Sequence, residues 1–323
     1  MEPQPEKLEL YAYENSSPGV VEFDSSVQPV GRGTGFKECS CRALPEDFHC
    51  SEAADTWKWL GTTDVAPLAE YDNILIRHYS GTNIELMIRV PNDALQSLND
   101  QNAANTWVRD NIQSYSNVRF QYIAVGNEVD PNNGNSQYVS FVLPAMRNIL
   151  TAVRNAGLGN QIKVSTATYT GLLGDSFPPS DGAFRDNVRG FIEPIIQFLT
   201  QNNQPMLANI YPYFSDPGSN LPYALFTASQ PVVGDDGNGL QYSNLFDAIL
   251  DAHYAAQVRL GGPNVEIVVS ESGWASSGGT NGTPLKPGRS IETYLFAMFD
   301  ENNKPANEEE RHFGLFTPNQ QPM

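Results

Sequence analysis

Two glutamates in this chain stand where an apolar run stops. Residues 119–128 read Arg-Phe-Gln-Tyr-Ile-Ala-Val-Gly-Asn-Glu, and residues 265–274 read Val-Glu-Ile-Val-Val-Ser-Glu-Ser-Gly-Trp. β-Branched apolar runs of this kind, bounded by glycine and proline, predict strands buried on both faces. Glu128 and Glu271 therefore sit where the chain leaves a sheet, each beside an amide or a hydroxyl and a small residue. In parallel-sheet folds that edge is where ligands bind. A single strand-end glutamate is often a structural ion pair. Two of them, in Asn-Glu and Ser-Glu-Ser-Gly-Trp contexts, point to a site. Two carboxylates facing each other across a cleft suit glycoside hydrolysis, in which one donates a proton to the leaving oxygen while the other attacks the anomeric carbon or activates water. Their environments must then hold them in different protonation states. Asn127 is placed to hydrogen-bond a sugar hydroxyl. Tyr211, Tyr213, Phe214 and Trp274, together with Tyr79 at the end of another apolar run, are candidates to contact sugar faces.

The elements that must position these groups alternate regularly from about residue 64. Strands are predicted at 73–79, 84–90, 119–128, 162–170, 206–214, 265–274 and 291–299. Helices are predicted at 94–115, 138–156, 184–201 and 245–259, and a short one at 64–71 is limited by Pro67. Strand–helix alternation implies βαβ units and a parallel sheet. Period-two alternation at 7–14 supplies an eighth strand, giving a (β/α)8 barrel. On that count Glu128 ends strand four and Glu271 strand seven, and both side chains arrive on one face. A doubly wound open sheet is the competing fold, but no glycine-rich phosphate loop follows a first strand. Residues 1–62 otherwise carry turn formers and read as a separate N-terminal segment, with residues 63–323 forming the barrel domain.

Composition narrows the partners. A formal net charge of −18 disfavours nucleic acid and anionic membranes, which repel it, and leaves a neutral polysaccharide unpenalised. No apolar stretch is long enough to span a membrane. The N-terminus lacks the basic and apolar regions of a secretory signal. Asn15-Ser16-Ser17 is a glycosylation sequon that matters only in a secreted chain. The three cysteines, Cys39, Cys41 and Cys50, fall within twelve residues, an odd number that completes no disulfide framework. With His49 they lack a second ligand cluster at finger spacing, so no metal is expected. No cofactor is expected either, and the chain reads as a monomer.

Four stretches carry a family resemblance. Ile123–Val129 (Ile-Ala-Val-Gly-Asn-Glu-Val), Leu207–Phe214 (Leu-Ala-Asn-Ile-Tyr-Pro-Tyr-Phe), Val268–Trp274 and Glu292–Asn302 resemble plant endo-1,3-β-glucanases of glycoside hydrolase family 17. The resemblance runs from about Asn73 to the C-terminus. It implies a (β/α)8 TIM barrel and a retaining mechanism, with Glu128 as general acid/base and Glu271 as nucleophile. It also implies roles for Glu301, Lys304 and Glu310, which match further carboxylate and lysine positions of the family. The implied substrate is a 1,3-β-glucan of a fungal cell wall or of callose, in plant defence or remodelling, by a secreted or vacuolar protein.

The chain departs from the family pattern in three places. The usual Gly-Val-Cys-Tyr-Gly opening strand is missing. The segment after Tyr79 is shortened. Ser276–Pro284 runs almost directly into the last strand, where the family carries an outer helix. The barrel is therefore expected to be incomplete at its first strand and last helix. Alternative readings are a catalytically weak or inactive glucan-binding relic, and a mixed-linkage 1,3;1,4-β-glucanase.

Overall fold

The computed structural model describes residues 10–14, 57–61, 80–81, 85–215, 220–273, 285, 293–295 and 311–313. Eight strands form the main sheet: β1 (Leu10–Glu14), β2 (Trp57–Gly61), β3 (Glu85–Val90), β4 (Arg119–Asn127), β5 (Lys163–Tyr169), β6 (Met206–Asn209), β7 (Ile267–Ser272) and β8 (Thr293–Leu295). They are hydrogen-bonded in that order. Every neighbouring pair from β2 to β8 is parallel. The sheet curls, so that β1 and β8 come within 8 Å between Cα atoms, although no ladder joins them among the described residues. Four helices make the crossovers between β3 and β7: α1 (Gln101–Asn111), α2 (Val139–Asn155), α3 (Asp186–Asn202) and α4 (Leu245–Arg259). This is the (β/α)8 barrel architecture in incomplete form.

Local chemistry explains the helix limits. Asp100 caps α1 by accepting from the Asn102 and Ala103 N–H groups, both at 2.9 Å. Asn244 caps α4 by accepting from the Asp247 N–H at 2.8 Å. Helix α2 buries Val142, Met146, Ile149, Leu150 and Val153 on one face. It stops at Gly157, whose φ of 77° suits glycine.

Two packed layers result. Between sheet and helices lies the main core, which includes Leu86, Val90, Ile123, Val125, Ile149, Ile192, Ile196, Ala208 and Val269. Inside the curl lies a smaller cluster: Met87, Tyr122, Ala124, Ala167, Leu207 and Val268. Side chains alternate along a strand. Residues two steps beyond this inner cluster, Arg89 after Met87, Asn209 after Leu207 and Ser270 after Val268, therefore point to the same interior, nearer the C-terminal ends of the strands. The apolar cluster is a floor, and the polar layer above it is the site.

The structure corrects several expectations. The sheet's second strand is Trp57–Gly61, within the segment read as irregular; it is short and carries Lys58 as its second residue, so it gave little periodic signal. The predicted strand 73–79 and helix 64–71 lie outside the described residues. β1 is present but runs antiparallel to β2, as an edge strand on a parallel sheet can. The helix expected over 94–115 is confined to α1, flanked by 3-10 turns at Asn92–Ala94, Ser97–Asn99 and Gln113–Tyr115. The strand expected over 206–214 ends at Asn209, and Pro212 starts a one-turn helix instead, because proline lacks the N–H needed to continue a ladder. Counted along the sheet, Glu128 follows the fourth strand and Glu271 lies in the seventh.

Candidate active site

Both glutamates owe their direction to a break in strand register. On β4, Ala124 pairs with Ser165, but Asn127 then pairs with Ala167, so the β4 chain takes one extra residue. On β7, Val269 pairs with Ala208 and Glu271 with Asn209, again one residue too many. A strict period of two would turn Glu271 away from the face that Ser270 shares with Val268. The inserted residue brings it level with inward-facing Asn209. Such bulges re-aim side chains at barrel rims. The first irregularity uses Gly126, at φ of 80°, where an added Cβ would meet Leu95 Cδ1 at 3.1 Å and Asn92 Oδ1 at 3.2 Å. Glu128 itself has φ of 50°, a left-handed conformation that a non-glycine residue rarely adopts. Backbone strain of this kind persists where the surroundings enforce it. Here the Glu128 N–H donates to Ala167 O at 2.9 Å, and Asn135 Nδ2 donates to Glu128 O at 2.9 Å.

Asn127 is clamped in the same way. Asn92, just after β3, accepts from the Asn127 N–H at 2.8 Å and donates from Nδ2 to the Asn127 O at 2.9 Å. One asparagine side chain thus imitates a neighbouring strand at the point where the ladder has slipped.

The two carboxylates have different partners. Glu128 Oε1 accepts from Asn209 Nδ2 at 2.8 Å, and the same amide donates to Asn127 Oδ1 at 3.1 Å. Buried Ser270 fixes the orientation of that amide by donating from Oγ to Asn209 Oδ1 at 2.6 Å. Glu271 is buried and is held by two donors. The guanidinium of Arg89 forms an ion pair with Oε1, and the Tyr211 hydroxyl donates to Oε2 at 2.8 Å. The Asn209 amide donates to one glutamate, and the Arg89 cation pairs with the other.

Below the rim beyond Glu128, Asp130 anchors the loop. Its Oδ1 accepts from the Asn132 N–H at 2.8 Å, and its Oδ2 accepts from the Tyr169 hydroxyl at 2.8 Å and from Arg185. Burial pushes the Asp130 carboxyl up, but these bonds together outweigh it and hold the group below the usual carboxylate range. Burial, with Asp130 alongside, pushes the Tyr169 hydroxyl up to about 12.

Of the residues expected from the sequence, the structure brings Glu128, Asn127, Glu271 and Tyr211 together. Tyr213 and Phe214 join Tyr211 in an aromatic group with Phe313. Ring centroids are 5.2 Å apart for Tyr213–Phe214, 5.6 Å for Tyr211–Phe214 and 5.9 Å for Tyr211–Phe313. Phe214 is largely exposed there, as a stacking surface for a sugar must be. Tyr79, Trp274, Glu301, Lys304 and Glu310 lie outside the described residues, as do Cys39, Cys41 and Cys50. No metal-binding group of histidine, cysteine and carboxylate side chains occurs among the described residues. Nor is any described helix long and apolar enough to cross a membrane.

Arg89, Asn209, Ser270 and Asn92 were not anticipated. Arg89 did leave a signal, since a lone arginine near the end of Leu-Met-Ile-Arg-Val is costly in a doubly buried strand without a partner. Asn209 and Ser270 left none. A strand-borne amide or hydroxyl gains meaning only from what lies across the sheet.

The chain is similar to known proteins over about three quarters of its length. The sequence profile described as Glycosyl hydrolases family 17 matches residues 58–323. A glucan endo-1,3-beta-glucosidase of Vitis vinifera is 56% identical over 266 residues, covering 75% of this chain and 76% of that protein. Glucan endo-1,3-beta-glucosidase A of Solanum lycopersicum is 52% identical over 266 residues, covering 75% of this chain and 77% of that one. Among solved structures, a beta-1,3-glucanase and allergen of Cryptomeria japonica pollen superposes with a TM-score of 0.72 at 45% identity, over 77% of this chain and 85% of that one.

Proposed function

The chain belongs to the glycosyl hydrolases of family 17 and is a glycoside hydrolase, and on that premise we propose that it cleaves internal 1,3-β-D-glucosidic linkages of 1,3-β-glucans with retention of configuration. Glu271 is the nucleophile and Glu128 the general acid/base. In the first step a Glu271 oxygen attacks the anomeric carbon while the glycosidic C–O bond breaks. Glu128 delivers its proton to the departing oxygen. In the second step water attacks the same carbon, Glu128 takes a water proton, and the ester bond to Glu271 breaks with its electron pair returning to the carboxylate.

The ion pair on Glu271 carries this assignment. An ion pair with Arg89 needs Glu271 charged, which is the form that attacks. An amide N–H on Glu128 Oε1 can only donate. That bond fixes the direction of the Glu128 carboxyl, as a residue that must present a proton requires. The aromatic group of Tyr211, Tyr213 and Phe214 supports an extended carbohydrate as substrate. Secretion or vacuolar storage fits an enzyme of this substrate class. Residues 63–323 are assigned as the hydrolase domain, with the N-terminal segment contributing β1 and β2 to its sheet.

A reducing-sugar assay tests the substrate, comparing laminarin with mixed-linkage 1,3;1,4-glucan. Laminarin should be the better substrate by a wide margin. Equal or better cleavage of the mixed polymer would move the assignment to that class, and no cleavage of either would leave a binding relic. Proton NMR of the first products tests retention: the β-anomer should appear before mutarotation. A ligand-bound crystal structure should place the two carboxyl groups about 5–5.5 Å apart.

A further inference from the structure

Arg89 is a buried cation in the interior of the barrel, and a carboxylate that it pairs with, Glu271, is not on a neighbouring strand. It leaves β3, whose neighbours are β2 and β4, and reaches Glu271 on β7, with β4, β5 and β6 between them along the sheet. The contact therefore crosses the interior rather than stitching adjacent strands. Both side chains are largely withdrawn from solvent, at 6% exposure for Arg89 and 9% for Glu271. A buried ion pair is a weak source of stability, and apolar residues of similar volume commonly do as well. Here the apolar alternative already exists one layer below, where Met87, Leu207 and Val268 close the same interior. The pair lies above that cluster, at the level of Asn209, and it engages the nucleophilic carboxylate directly. Its place in the fold is explained by the reaction better than by packing.

We propose that Arg89 is a positioning residue for Glu271 that acts chiefly in the second half of the reaction, the breakdown of the glycosyl–enzyme ester. This rests on the reading of Glu271 as nucleophile. In the resting enzyme Arg89 holds Oε1 and Tyr211 holds Oε2, which sets the plane of the carboxylate. When Glu271 attacks, its charge is consumed in the new C–O bond and the guanidinium is left beside a neutral ester. When water attacks, that bond breaks and the electron pair returns to the carboxylate next to Arg89. A fixed cation at the atom where negative charge develops favours that step over the reverse arrangement. Arginine suits the role because its planar fork is always charged and presents donors in a fixed geometry, which a lysine ammonium does not.

Arg89→Gln and Arg89→Lys are to be compared with the wild type on an aryl β-laminarioside with a good leaving group. The wild type should release the aryl group linearly. Arg89→Gln should release about one equivalent per enzyme in a burst, then turn over roughly 10- to 100-fold more slowly, with KM lowered alongside kcat and an adduct of the substrate's laminarisaccharide on Glu271 in the mass spectrum. Arg89→Lys should recover part of the lost kcat and accumulate less of the adduct. Because it keeps the buried charge it also carries the test if Arg89→Gln does not fold, and it should then turn over about tenfold more slowly than wild type, with a burst and with KM lowered alongside kcat. A wild-type rate in either variant, or slowing without burst, adduct or recovery by lysine, overturns the proposal. Continued hydrolysis by Glu271→Gln would instead overturn the reading of Glu271, whatever Arg89 does.

Discussion

The ends of β4 and β7 solve one problem by opposite chemistry. Each must turn a carboxylate into the barrel mouth, and each does so with one surplus residue in the ladder. At β4 the turn is made by backbone strain: Gly126 and Glu128 both take positive φ, and Asn92 and Asn135 hold the distorted chain. At β7 no described residue has a positive φ, and the load falls on side chains: Arg89 and Tyr211 grip Glu271, while Ser270 faces Asn209. The difference matches the roles proposed above, since a nucleophile needs charge, a fixed plane and a place for that charge to return.

Removing either glutamate breaks the comparison most severely. Glu271→Gly and Glu128→Gly should each lose about four orders of magnitude or more on laminarin. Azide should distinguish the two. With an activated substrate, Glu271→Gly should yield the α-glycosyl azide, by a single displacement from the vacant side. Glu128→Gly should yield the β-azide, by displacement of the intact ester. Identical products from both variants would dissolve the distinction drawn here.

Asn209→Ala should slow hydrolysis by about 10²-fold, because the loss of one positioning contact misplaces the acid. Ser270→Ala should slow it less, since the amide stays in place and only its orientation is freed. If Ser270→Ala is the more damaging, the amide relay is not how Glu128 is set. Gly126→Ala should destabilise the fold by about 1–3 kcal/mol in chemical denaturation, since a side chain at positive φ is strained and its Cβ would crowd Leu95. An unchanged midpoint would show that the β4 turn is looser than its geometry implies.

The smallest effects lie in α4, away from the mouth, where titratable groups are perturbed by burial without any catalytic task. Burial, relieved in part by Asn244 and reinforced by Asp251, pushes the Asp247 carboxyl up to about 6. Its folded value lies above its unfolded one, so its stabilising contribution is present at low pH and is lost as pH rises through about 6. Burial pushes His253 the other way, down to about 4. That contribution is present above the unfolded value of about 6.5 and is lost as pH falls toward about 4. Melting temperature against pH should therefore lose its decline above about pH 4 in Asp247→Asn, and its decline below about pH 6.5 in His253→Phe. Opposite signs from these would refute the burial account.

Much of the site was legible in the linear chain. Glu128, Asn127, Glu271 and Tyr211 all stand where an apolar run ends, and the physics of parallel sheets places such residues at one rim. Helix α4 was legible to the residue, as Leu245–Arg259, and the structure adds the Asn244 cap that starts it. β2 was not, since five residues with a lysine at the second position carry too little periodicity. Arg89 was visible as an anomaly but not as a function: a charge in an apolar strand announces that it has a partner without naming it.

Composition and the order of apolar runs by themselves determined the alternation of strands and helices, the barrel, and the two strand-end carboxylates, because burial periodicity is a local property. Only the tertiary structure decided which way those carboxylates point, because a surplus residue in a ladder exists only relative to the strand beside it. It alone decided that Asn209 serves Glu128 and Arg89 serves Glu271. Those partners lie 81 and 182 residues away in the chain and meet only when the sheet has curled.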